Sequence, residues 1–177
     1  MGFVCYTITY VALLTLLPPL SGPGLQGLLA TLLPLVSIAV SLALGVWLLA
    51  RIGAVGTVAV GFGAALLGAA GLALGWGSFG PQLAASLWIG GALGLVQGAS
   101  FAAIPALNPD PGERAQAAGA IAQLGNVGTT LGTPLLGALI AGQGAMAVPV
   151  FVSLFAVLGI VLHLVQALRR KDEAQSG

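Results

Sequence analysis

The chain has 177 residues, of which 58% are hydrophobic and only 5% charged, and its net charge is +1. A soluble domain carries roughly 25% charged residues, so this composition excludes a water-facing surface and leaves lipid around most of the exterior. A single cysteine, Cys5, and a single histidine exclude an internal disulfide or a zinc cluster, and the absence of a basic patch excludes nucleic acid as a partner.

A membrane-crossing helix needs about 20 apolar residues. The first such segment covers about 3–20. Its opening, MGFVCYTITYVALL, lacks Lys and Arg, so a retained span is expected in place of a secretory signal. It ends at Pro18-Pro19, and Ser21-Gly22-Pro23-Gly24 has turn chemistry. The second segment covers about 25–50 and is closed by Arg51. Gly53 and Gly56 then permit a tight turn into the third, about 55–74. The link Gly75 to Pro81 leads to the fourth, about 82–107. The next link, Asn108 to Arg114, is the most polar one. Within it Asp110 suits a helix cap, Pro111 a first helical position and Glu113 a capping-box acid. The fifth segment covers about 115–141. Gly142-Gln143-Gly144 joins it to the sixth, about 146–168, and a tail follows at 169–177. The expected fold is an all-α membrane protein of six transmembrane helices.

The basic residues are Arg51, Arg114, Arg169, Arg170 and Lys171. They follow the second, fourth and sixth segments, and the other links carry no charge. Basic residues stay on the cytoplasmic side. The expectation is a multi-pass protein of the cell (inner) membrane with both termini cytoplasmic.

Small residues recur every fourth position: Ser37, Ser41 and Gly45 in the second segment, Gly61, Ala65, Ala69, Ala73 and Gly77 in the third, Gly90, Gly94, Gly98, Ala102 and Ala106 in the fourth. In lipid such stripes let helix backbones approach closely. The fifth segment has two faces. Gln123, Asn126, Thr130 and Thr133 share one, and Gly125, Gly128 and Gly132 share a stripe roughly opposite. The expectation is a helix that packs by its glycines and turns its amides toward a polar cavity inside the bundle.

No Asp, Glu, Lys or Arg lies deep in a segment, where proton relays and voltage sensors usually place them. The candidates for a substrate path are neutral: Tyr6, Thr7, Tyr10, Gln97, Gln123, Asn126 and Thr130. The alternative for these is interhelical hydrogen bonding, and for the tyrosines an interfacial belt. His163, near the cytoplasmic end of the sixth segment, reads as structural or interfacial. No enzyme motif survives its context. Gly75-Trp76-Gly77-Ser78-Phe79-Gly80 has dinucleotide-loop spacing but follows a membrane helix. Gly98-Ala99-Ser100-Phe101 departs from the Gly-x-Ser-Gly of rhomboid-type intramembrane serine proteases, a remote alternative with Ser100 and His163 as its residues. No cofactor and no metal are expected.

Taken together the chain resembles the C-terminal half of a major facilitator superfamily transporter of the bacterial efflux type. Gly119, Gly128 and Gly132, with Pro134 and Gly137, are similar to that family's antiporter glycine signature, the proline standing one residue later. Gly45 to Gly53, GVWLLARIG, is similar to its cytoplasmic loop motif at Arg51 and Gly53, with Ala50 in place of the acid. The run from Phe101 to Gly119, with Pro105, Pro109 and Arg114, resembles the link before the family's eleventh helix. The resemblance implies one six-helix half, an inverted three-plus-three repeat, with the solute site between two halves. It implies alternating-access transport of a small solute, the lipid bilayer as surroundings, and a partner that is an N-terminal half or a second copy. It implies a helix-packing and gating role for Gly119, Gly128, Gly132, Pro134 and Gly137. It is also compatible with a fragment of a longer transporter. The remaining alternative is a non-transporting membrane subunit or relic.

Overall fold

The computed structural model describes residues 2–176 and the side chains of residues 2–166, 168 and 169. Among these residues every regular element is helical: α1 (Gly2–Leu20), α2 (Pro23–Val40), a wide π-turn (Ser41–Gly45), α3 (Val46–Gly75), α4 (Phe79–Leu107), α5 (Pro111–Gln143), a 3₁₀ turn (Gly144–Met146) and α6 (Ala147–Ser176). The tail expected to leave the last span continues α6 as helix to Ser176.

The expected count of six separate spans is corrected. The described residues form four helical stretches long and apolar enough to cross a membrane: Gly2–Leu20, Pro23–Gly75, Phe79–Leu107 and Pro111–Gln166. The expected turns at Gly53 and at Gly142–Gly144 do not unwind the chain. The first is confined to Gly53, at φ 69° and ψ 179°. The second is confined to Gly144, at φ 65°, and its 3₁₀ turn.

Gly53 nevertheless separates helices of opposite direction, and the glycine contacts show it. Gly90, Gly94 and Gly98 of α4 lie against Leu33, Ser37 and Ser41, so α2 and the π-turn run parallel to α4. Gly61, Gly68 and Gly75 of α3 lie against Val96, Ile89 and Pro81, so α3 runs antiparallel to α4. A backbone at φ 69° and ψ 179° is a region that essentially only glycine occupies. Gly53→Ala is therefore expected to cost about 1–3 kcal/mol, read as a shift in the detergent-unfolding midpoint. Gly63→Ala, on a helical residue with open space beside it, is the matched control and is expected to leave the midpoint in place.

The two ends of the bundle are tied differently. At one end the Gln82 side chain donates to Ser21 Oγ at 3.0 Å and accepts from Gly77 N at 3.0 Å, joining the first and third links. At the other, Asp110 caps α5 by accepting from Gly112 N at 2.7 Å and Glu113 N at 3.3 Å, as its position suggests. Arg114 locks the same link, donating to Asn108 O at 2.8 Å and Pro109 O at 3.0 Å.

Packing centres on α1 and α4, whose helices are the most enclosed. Leu13, Leu17, Leu29, Leu33, Phe62, Leu72, Ile89, Leu93 and Phe151 are fully buried. Between helices in lipid, dispersion and close fit replace apolar attraction as the cohesive force, so the fit of the small-residue stripes decides the assembly. Of the stripes of the second and fourth segments, Ser37 and Ser41 meet Gly94 and Gly98, while Gly90 lies against Leu33, Gly45 against Leu95, and Ala106 is exposed. That of the third reaches α4 through Gly61 and buries Ala65 and Ala69, but Ala73 is exposed and Gly77 lies in a turn at φ 82°.

Candidate functional site

The α5 helix has the two faces its spacing suggests. Gly125, Gly128 and Gly132 lie against Phe3, Thr7 and Ile8 of α1, and the two helices run parallel. Gly128 and Gly132 are buried there. Of the other expected packing residues, Gly119 and Gly137 meet nothing within 4 Å of an added Cβ, and Pro134 is exposed. They take no part in the seam, because at 100° per residue all three fall on the side of α5 opposite Gly128 and Gly132.

The polar face is directed differently from expectation. Gln123, Asn126 and Thr130 are exposed on the outside of this bundle, and Thr133 is half-buried. They do not line the cavity of about 500 Å³ at the α4–α5 link end of the bundle. The Thr130 hydroxyl donates to Asn126 O at 2.9 Å and that of Thr129 to Gly125 O at 2.9 Å, so these hydroxyls are satisfied within the helix. The Gln123 and Asn126 amides are exposed and present both donors and acceptors to whatever faces them. The geometry behind the reversal is simple. The glycine stripe takes the inner side, and the opposite side of a helix at the rim of a bundle is the outer one.

On α1, Tyr6 and Tyr10 stack with ring centroids 5.4 Å apart and planes at 19°. Phe3 packs on Tyr6 at 5.3 Å and edge-on against Phe101 of α4 at 5.5 Å. Tyr6 is buried and Tyr10 half-buried. Gln97 is half-buried one turn before Phe101, on the same side of α4. Thr7 lies in the α1–α5 seam, and its hydroxyl donates to Val4 O at 3.1 Å and Phe3 O at 3.3 Å. The seven path candidates thus fall into an aromatic and amide group on α1 and α4 and an exposed strip on α5. Thr7 sits between them as a packing residue.

Arg51 is exposed, with its guanidinium 5.2 Å from the Trp47 ring centroid. Such a cation over an indole face is stabilised by the ring's charge distribution. Ser100, the serine of the protease alternative, is buried and donates to Val96 O at 2.7 Å.

The cavity of about 500 Å³ opens among the beginning of α1, α3 and α5 and the end of α4 and α6. Its polar lining residues are Ser100, Asn108, His163, Gln166 and Arg169, and none of the seven path candidates lines it. Gln166 was not singled out by the sequence. The signal available was the spacing of His163, Gln166 and Arg169, three residues apart on one side of α6. The His163 ring packs 6.1 Å from Phe62 and against Gly2, and its Nδ1–H donates to Gly159 O at 3.0 Å. That bond leaves Nε2 of the neutral ring as an acceptor.

Among the described residues no cluster of His, Cys, Asp and Glu can hold a metal ion. No protein-family model, no curated protein and no solved structure matches the chain.

Proposed function

We propose that this chain moves a small solute across a membrane by alternating access, as one bundle working against a second. The observation that carries the reading is the outward-facing, uncharged strip of Gln123, Asn126 and Thr130 on α5, set opposite a glycine stripe that packs on α1. Unpaired amides turned to acyl chains cost free energy, several kcal/mol in the bilayer core. A strip of them is stable where it meets water or polar groups. A cavity shared with a facing bundle supplies both, and the resemblance to a major facilitator half gives that arrangement its form. The facing bundle is a second copy of this chain or a separate half.

In this reading the long stretches Pro23–Gly75 and Pro111–Gln166 each cross the bilayer twice, so the chain crosses six times. The lengths support it. A straight helix of 53 residues would extend about 80 Å, and the hydrocarbon core is about 30 Å thick. The opposite directions of α2 and α3 on α4 support it as well. Arg51, Arg114 and Arg169 then lie at the cytoplasmic face, with both termini.

Membrane vesicles from cells expressing the chain, screened for uptake and efflux of solute panels, test the proposal. Gln123→Leu and Asn126→Leu are expected to lower the transport found by at least tenfold each, the scale of one lost hydrogen bond to a bound solute. Membrane insertion is expected to stay normal. Transport unchanged in both variants sinks the role of the strip. Activity in no assay, together with a co-purifying membrane chain, favours a non-transporting subunit.

A further inference from the structure

We infer that the cavity of about 500 Å³ at the α4–α5 link end of the bundle binds an anionic amphiphile, with its headgroup on α6 and its apolar part between the helices. The inference is independent of the transport reading and needs only that the bundle sits in a bilayer with its α4–α5 link end on the cytoplasmic side.

The volume lies within the 300–1,000 Å³ of small-molecule sites, which combine apolar walls with a few placed polar groups. Val58, Ile104 and Leu124 are among the apolar walls. Five polar residues line the cavity, and three of these already donate to a carbonyl four residues back: Ser100 to Val96 O, Asn108 to Ile104 O at 2.7 Å and His163, through Nδ1–H, to Gly159 O. His163, Gln166 and Arg169 come from successive turns of α6. They form a ladder from half-buried His163 and Gln166 to exposed Arg169, with the cation at the mouth. A guanidinium and an amide at a mouth, above an apolar floor, match a phosphate or carboxylate that carries an alkyl chain. Cation-bearing pockets between membrane helices on the cytoplasmic side hold anionic lipid headgroups. The ligand chemistry is therefore a singly or doubly charged anion on an apolar chain, supplied by a membrane phospholipid or by a free amphiphile.

The test uses the full chain purified in a neutral detergent and examined by native mass spectrometry. The probes are phosphatidylglycerol, octyl phosphate, inorganic phosphate and octyl glucoside. One saturable adduct is expected with an anionic amphiphile, and none with phosphate alone or with the glucoside. Phosphatidylglycerol that survives purification and is displaced by octyl phosphate identifies the lipid as the source. Binding of octyl phosphate without phosphatidylglycerol identifies a free amphiphile. Arg169→Gln combined with Gln166→Leu is expected to weaken binding about tenfold or more, the scale of a hydrogen bond to a charged group. Ala120→Phe, which fills the lined space and keeps every charge, is expected to do the same and decides the matter where the α6 variant fails to fold. Arg51→Gln is expected to change nothing. An equal loss in Arg51→Gln, tight binding of inorganic phosphate alone, or no saturable adduct overturns the inference.

Discussion

Gly132→Ile is expected to unseat α5 from α1. An added Cβ at Gly132 would run into the carbonyl oxygen of Ile8 and come within 3.0 Å of its carbonyl carbon and Cα. At Gly128, one turn earlier, it would lie 2.7 Å from Thr7 Cβ and 2.9 Å from Ile8 N. The obstacles at Gly132 are main-chain atoms of a helix that is itself packed on its other sides, so no rotamer change relieves them. Overpacking of a well-filled core typically costs 1–3 kcal/mol and occasionally more. Here the helices must part along the seam, and lipid tails solvate the separated faces as well as they solvate each other. A loss of about 3 kcal/mol or more follows, visible as a lowered detergent-unfolding midpoint. Disulfide trapping gives a direct measure, with cysteines placed at Thr7 and Gly125, where Thr7 Cγ2 lies 3.9 Å from a Cβ built at Gly125, in a Cys5→Ser background. Trapping is expected to fall sharply in Gly132→Ile and to persist in Gly137→Ile, where the space is open. Undiminished trapping in Gly132→Ile would remove the seam from the fold.

Gly94→Val is expected to have the next largest effect, at the crossing of α2 and α4. A Cβ there would meet the carbonyl oxygen of Ser37 and lie 2.9 Å from both its carbonyl carbon and its Oγ. Ser37 is fully buried, and its Oγ has no hydrogen-bond partner. The neighbour that would have to yield is again backbone, and a second branch at Cβ adds volume on the same line. The expected cost is about 2–3 kcal/mol, against little change for Gly63→Val beside open space. Ser37→Ala sharpens the comparison. Removing a buried hydroxyl that pairs with nothing is nearly neutral or stabilising. A destabilisation by Ser37→Ala as large as that of Gly94→Val would mean that the hydroxyl is engaged and the close approach is not what holds the pair.

What was legible in the sequence follows physical range. Composition decides the solvent, and periodicity decides which side of a helix is narrow. The all-helical character, the close approach along small-residue stripes, the cap at Asp110 and the break at Gly53 could therefore be read in advance, but not which stripe meets which. Two further things could not. The first is continuity. A single glycine at φ 69° and ψ 179° parts two helices with no link between them, so a turn rich in Gly does not announce how few residues the reversal takes. The second is direction. The spacing of Gln123, Asn126 and Thr130 shows that they share a face, and only the position of α5 at the rim shows that this face looks outward. Gly119, Pro134 and Gly137 share a sequence pattern with Gly128 and Gly132 but not a role, since they fall on the opposite side of α5. The α6 ladder escaped notice because His163 reads alone as a packed ring and Arg169 alone as an anchor. Only the helical continuation past Leu168 sets them in line with Gln166.

The parallel contact of α1 with α5 also dictates an order of events during synthesis. Thr7 waits for Gly128, and roughly 120 residues at 5–20 residues per second amount to about 6–24 s. Through that interval the first helix is held by later arrivals that are not its main neighbour, with the Thr7–Ile8 ledge uncovered. A ribosome-stalled chain ending before Gly128 would present that ledge to quality control. The dwell, more than the finished assembly, is the period in which the glycine-matched side of α1 stands bare.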